Sequence, residues 1–411
     1  MSSDAARLVR DQLHVYSAAV LPFRMGERAL PELPENSFDT VQRHLQQALR
    51  AAQRTGRSHF LLLGCGDGRL PDAIAAALPD NVTLTVLELH PERVRQAMER
   101  GHMGWWREAG RHRLVTDVSS WALLVLLAQA GLTSANTAMM LHPQLSEQEK
   151  EACRGWQRLF TGSALLAGGK AEQGADGPLT LGIIAHPQEP NLHEFFAHVP
   201  DWVHEVVLVW DADTMEALPV SVRSAAESCA VPVRQVARPL GGDFAAQRNA
   251  VLAACSTEWI LFLDGDERLS PEAWAVLPAL MRQGVGGYVF PRWTRIGSEA
   301  QCRAGFGLWP DVQLRLFRRG PQTRFERNVH EVVRHVAGPL ALTLTMHIDH
   351  YSHLWKDMNM LAQKLRTFDE AAGREAMHRL NKEYPAVSCE LFGVMEGMCG
   401  QDSCLLLPVT M

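Results

Sequence analysis

No apolar run in this 411-residue chain is long enough to cross a bilayer. The longest, near Trp121–Ala130, falls well short of the roughly 20 residues a spanning helix needs. The opening residues, MSSDAARLVRDQL, lack the apolar centre of a secretory signal. The eight cysteines include no Cys-x-x-Cys pair and read as reduced thiols in a cytoplasmic protein. Lysine is scarce: only Lys150, Lys170, Lys356, Lys364 and Lys382 stand among 40 basic residues, the rest being arginine, which suits phosphate recognition. Positive charge is in deficit, and a formal net charge of −6 argues against nucleic acid as a general partner. What is present is ordinary for a globular protein, 46% hydrophobic and 21% charged, in a chain too long for one core.

The chain divides by pattern into an α/β domain over 1–170, a second over 178–370, and a tail over 371–411. Residues 1–57 read as helical, with a proline-rich break at Leu30–Pro34. A strand at His59–Leu63 then runs into Gly64-Cys65-Gly66-Asp67-Gly68. A helix over Leu70–Leu78 and a strand over Thr83–Leu87, ending in Glu88, follow. Glycines here let the backbone turn tightly and approach a ligand, and the acid is placed for ribose hydroxyls. This order resembles the first half of a class I S-adenosylmethionine-dependent methyltransferase domain. The resemblance implies Gly64, Gly66, Gly68 and Glu88 as ligand-binding residues and S-adenosylmethionine as their ligand. No Asn-Pro-Pro-aromatic motif follows, and His142-Pro143 stands after the strand expected at Thr137–Leu141. A non-catalytic Rossmann-like domain is therefore the main expectation, with a working methyltransferase as its rival. Leu166–Pro178, rich in glycine, reads as a linker.

The second domain alternates strands and helices. Strands are expected at Leu179–Ala185, Val206–Trp210 and Val231–Val236, and helices at Asn191–Ala197 and Asp243–Ala254. The stretch WILFLDGDERLSPEAW organises it: the unbroken apolar run Trp259–Leu263 suits a strand buried on both faces and delivers Asp264, Gly265, Asp266 and Glu267 to the edge of a sheet. If the strand continues, period two points Asp264 and Asp266 to one side, and Gly265 lets a ligand near the backbone. Ser270-Pro271 opens a helix. Paired carboxylates of this kind suit a hard divalent cation, which in turn suits a diphosphate.

From about Thr180 to Phe368 the ordered motifs resemble family 2 of the glycosyltransferases, which have the GT-A fold. They are Glu189 with Asn191-Leu192, Val207–Asp211, Asp243–Asn249 (DFAAQRN), Leu261–Pro271 (LFLDGDERLSP), Trp309-Pro310-Asp311 with Gln313–Arg318, Val329-His330-Glu331, His350-Tyr351 and Lys364. His186-Pro187 departs from the usual Lys-Asn. The resemblance implies transfer of a sugar from a nucleotide sugar to an acceptor hydroxyl of a glycan, lipid or protein, with inversion. Asp211 would bind the nucleotide base, and Arg248 and Asp264 the donor. Asp266 and His350 would hold Mg²⁺ or Mn²⁺ against the charge growing on the leaving phosphate. Glu331 would be the base that takes the acceptor's proton. Arg315 alternates inward with Gln313 and Phe317. HEFFAH at 193–198 and HEVVRH at 330–335 are not zinc helices, because their histidines stand five apart rather than four. A non-catalytic sugar-nucleotide-binding protein is the remaining alternative.

Overall fold

A computed structural model of the chain describes residues 3–24, 30–33, 37–106, 110–166, 177–356, 359, 361, 384–399 and 403–408. Most of the expected linker, Lys364 and the helix expected over 368–380 lie outside the described residues. The chain forms two compact units, Met1–Leu166 with Ala300–Asp311 and Glu383–Pro408, and Ala167–Glu299 with Val312–Lys382 and Val409–Met411.

In the first unit four short apolar runs make strands β1 (His59–Leu63), β2 (Thr83–Glu88), β3 (Arg113–Thr116) and β4 (Thr137–Leu141). They pair in parallel in the order β3-β2-β1-β4. Buried side chains on successive positions explain why the runs do not alternate. The helix Phe38–Thr55 buries Val41, Leu45, Ala48 and Ala52, one stripe at helical spacing. Ser37 caps its first turn, and Gly56, at φ 60°, ends it in the left-handed region. Helix α1 (Ser3–Val20) sends the Ser17 hydroxyl to the Leu114 carbonyl at 3.1 Å.

Two later segments complete this unit. Residues 301–303 pair antiparallel with 386–388, and Cys302 is bonded to Cys389. Trp309 and Phe392 stack at 4.1 Å, with Tyr16 packed against both. Burying rings of this size contributes roughly 2–3 kcal/mol each. The reading of all eight cysteines as reduced thiols is thus corrected at Cys302 and Cys389. Their partnership joins segments 87 residues apart, which spacing along the chain does not reveal.

The second unit is built on strands β5 (Leu179–Ala185), β6 (Glu205–Trp210), β7 (Val233–Ala237), β8 (Trp259–Phe262), β9 (Gly287–Phe290), β10 (Gln313–Arg318) and β11 (Leu340–Thr343). Their order is β11-β9-β10-β8-β5-β6-β7. The block β8-β5-β6-β7 is parallel, while β10 runs antiparallel to both β8 and β9. The chain moves outward from β5 through β6 to β7, then returns to β8 on the other side of β5. That reversal sets the C-terminal ends of β5 and β8 side by side, the position at which open α/β sheets bind ligands. Helix α2 (Phe244–Ala254), capped by Asp243, lies so close to β5 that a Cβ on Gly182 would come 2.7 Å from Val251. A small sheet pairs Glu267–Arg268 with Ile348–His350, which also pairs with Arg292–Ile296. Among the described residues no helix is long and apolar enough to cross a membrane.

Candidate active site

The site grows from the end of β8. The strand stops at Phe262, one residue before the apolar run does, and the acids stand on a turn closed by Glu267 N–H donating to the Asp264 carbonyl at 2.9 Å. The condition for Asp264 and Asp266 to share one side, a strand continuing through them, is therefore not met, and the two acids address different cations.

Asp264 is held by arginines. Arg248 donates from Nη2 to its Oδ1 at 2.9 Å, and Arg315 from Nη2 to its Oδ2 at 3.1 Å. Arg248 rises from the inner face of α2 between the rings of Phe262 and Phe325, and its Nε donates to Glu331 Oε1 at 2.5 Å. Burial opposes its charge, but Asp264 and Glu331 outweigh it, so the guanidinium is held above its ordinary pKa. Glu331 sits at the end of a turn that joins the paired segments Arg324–Glu326 and Val332–Arg334.

Sequence reasoning gave no role to Glu267, the fully buried acid beneath this group. It accepts from Arg315 at 2.7 Å, Arg292 at 3.1 Å and the Asp264 backbone at 3.0 Å. Burial pushes its carboxyl up while Arg315 pulls it down, with the net direction upward. Arg315 was marked by its inward alternation on β10. Glu267 carried no such signal, because it looked like one more acid in a turn.

Asp266 is almost fully buried and turns to Lys356, whose Nζ lies 2.7 Å from Asp266 Oδ2 and 2.7 Å from Glu189 Oε1. Burial opposes the Lys356 charge; Asp266 and Glu189 outweigh it and hold the ammonium above the ordinary lysine range. The small sheet sets Glu267 opposite His350, which brings His350 Nε2 to 3.7 Å from Asp266 Oδ1, while its Nδ1 is 3.2 Å from the Thr294 hydroxyl. Gly265 is needed for a reason other than ligand approach: a Cβ there would lie 2.7 Å from Glu189 Cγ. Asp211, at the end of β6, accepts from the Leu240 backbone at 2.8 Å and so fixes the loop before α2.

A resident divalent ion does not fit this donor set. A hard cation of the Mg²⁺ or Mn²⁺ kind completes its shell with substrate phosphates and waters, so the two donors Asp266 and His350 would suffice by number, but the Lys356 ammonium already sits 2.7 Å from Asp266 and supplies positive charge there.

The glycine turn of the first unit has the expected backbone: Gly64, Gly66 and Gly68 have φ of 89°, 56° and 91°. The loop after β4 packs closely against it. A Cβ on Gly66 would meet His142 Cε1 at 2.2 Å, and one on Gly64 would meet Leu145 at 2.7 Å. Gln144 accepts from the Asp67 backbone at 3.2 Å. Glu88 is buried, its two oxygens accepting from the Cys65 and His90 backbones at 2.8 and 2.9 Å. S-adenosylmethionine does not fit a turn occupied in this way.

The reversal in strand order with acids on its rim is that of an open α/β domain with its site at one sheet edge. Residues 180–351 match the model of glycosyl transferase family 2, and the chain carries a domain of that family there. A TPR repeat-containing protein of Synechococcus elongatus is 31% identical over 156 residues, which are 38% of this chain and 35% of that protein. The chain thus covers about a third of that relative's length. Among solved structures, S. aureus TarS residues 1–349 in complex with UDP-GlcNAc aligns at 19% identity and TM-score 0.25, over 29% of this chain and 36% of that one. GalNAc-T7 with UDP, GalNAc and Mn²⁺ aligns at 14% identity and TM-score 0.25, over 37% and 28%.

Proposed function

We infer that the second unit transfers a sugar from a nucleotide-sugar donor to an acceptor hydroxyl. The observation that carries this reading is the family match over 180–351, which spans the strand-order reversal followed by Glu189, Asp211, Asp264 and Asp266. In this reading the nucleoside end of the donor lies toward Asp211 and its diphosphate toward the turn at Asp264–Asp266. The acceptor oxygen attacks the anomeric carbon from the face opposite the diphosphate. As that bond forms, the bond from the anomeric carbon to the phosphate oxygen breaks, and its electron pair leaves on the nucleoside diphosphate. One displacement inverts the anomeric centre.

Glu331 takes the acceptor proton. Arg248 touches both Glu331 and Asp264, so it acts as a positioning residue that couples the base to the donor side of the site. The metal-dependent form of the reading, with Mg²⁺ or Mn²⁺ on Asp266 Oδ1 and His350, places the ion on the carboxylate that Lys356 already contacts through Oδ2. The first unit acts in this reading as a scaffold, because its glycine turn packs against His142 and Leu145 rather than a cofactor.

A panel of nucleotide sugars tests the reading by thermal shift and by release of nucleoside diphosphate. One or more donors should stabilise the wild type and be turned over. Glu331→Gln should lose about 10²–10⁴-fold in turnover with binding of the nucleoside diphosphate kept. A variant as fast as wild type rejects Glu331 as the base. A wild type that neither binds nor cleaves any donor rejects the transferase reading.

A further inference from the structure

We propose that Lys356 takes the place of a divalent cation at Asp266, so that the donor's diphosphate is neutralised by an ammonium and transfer proceeds without metal. The proposal rests on the transferase reading above. Its geometry is that of a built site. Glu189 follows β5 and Asp266 follows β8, adjacent parallel strands, so both acids stand at the strand-order reversal where a diphosphate would lie. The Lys356 side chain is 6% exposed and bridges them at 2.7 Å on each side. The bridge depends on a residue choice elsewhere, since Glu189 reaches it by passing over Gly265, where any Cβ would obstruct it.

An ammonium has three N–H donors. Asp266 takes one, Glu189 stands at ion-pair distance, and a further N–H is available to a phosphate oxygen. Lys356 holds Asp266 Oδ2, and a divalent ion on Oδ1, the oxygen nearest His350, would lie on the same carboxylate as a fixed positive charge, so ammonium and metal oppose each other there. Lysine also supplies its charge as a compact point, so it needs no planar partner and can follow the phosphate as negative charge grows there.

The test uses the full chain and UDP, GDP, ADP and CDP as probes, with binding followed by calorimetry in EDTA and again in Mn²⁺. At least one nucleoside diphosphate should bind the wild type as well in EDTA as in Mn²⁺, and Mn²⁺ alone should not bind. Lys356→Ala should weaken that binding about tenfold or more in EDTA, as loss of a charge-assisted contact does. It should also gain Mn²⁺ binding, because Asp266, beside His350, then loses the competing positive charge. Lys356→Arg, which keeps the charge and guards against misfolding of the alanine variant, should retain binding in EDTA. Wild-type binding that requires Mn²⁺, or Lys356→Ala binding as tightly as wild type in EDTA, overturns the proposal and leaves the transferase reading standing. Absence of binding by the wild type to every probe, with and without Mn²⁺, overturns both.

Discussion

Arg248 and His142 are the side chains whose surroundings say most. Arg248 is the shared partner of Asp264 and Glu331, and removing it takes that cation from both and leaves Asp264 to Arg315. Arg248→Ala should cost about 3 kcal/mol, read as a lowered urea midpoint, because breaking a buried pair costs more than making it gains. Arg248→Lys should recover part of that stability and little of the turnover, since an ammonium cannot serve both acids with a planar fork.

His142 is fully buried, and burial lowers its pKa to about 4 from an ordinary value near 6.5. Its folded value is depressed, so the unfolded chain binds the proton first as pH falls. The stability it permits is complete above about pH 6.5 and is lost progressively down to about pH 4. Between pH 7 and 5 that loss is about 2 kcal/mol. His142→Asn should abolish this part of the pH slope of the unfolding midpoint. Asp117 and His59 also have shifted values, but they are common to both proteins and cancel in the difference.

At the scale of elements, the strands were legible because burial on both faces leaves uninterrupted apolar runs. β1, β4 and β5 fall on the residues expected from such runs, and Ser270 caps the helix after the acidic turn as its sequence implied. The acidic turn itself was not legible in detail. The residues Asp-Gly-Asp do not say whether a strand persists, and local hydrogen bonding from Glu267 to Asp264 closed it instead. The glycine turn of the first unit misled in the opposite way. Its backbone is as expected, yet what approaches is the loop after β4. Gly66→Ala should therefore destabilise the protein by more than a usual glycine change, roughly 2–4 kcal/mol, because strain at φ 56° adds to a clash with a buried imidazole. In Gly66→Ala/His142→Ala the clash is gone and only the strain remains, so the double variant should lose less than the sum of the single losses. Chemical unfolding of the four proteins measures it.

At the scale of the whole molecule, the first unit is assembled from three stretches, and residues 300–311 and 384–408 belong to it although the chain reaches them late. The bond between Cys302 and Cys389 closes 87 residues of chain. Alkylation of the denatured protein without reductant should label the six free cysteines and spare these two; mass spectrometry reads the count, and eight labels would remove the bond from the account.

Taken alone, the sequence determined strands β1, β4 and β5, the cap at Ser270, the order of the family motifs and the inward course of Arg315, because each is set by neighbours a few residues away. Only the tertiary structure decided which cation meets which acid, what fills the glycine turn, and which segments complete the first unit. Those depend on side chains distant in sequence, Lys356 with Glu189 and Asp266, His142 with Gly66, Cys302 with Cys389. No local pattern encodes a partner that the fold alone brings within bonding distance.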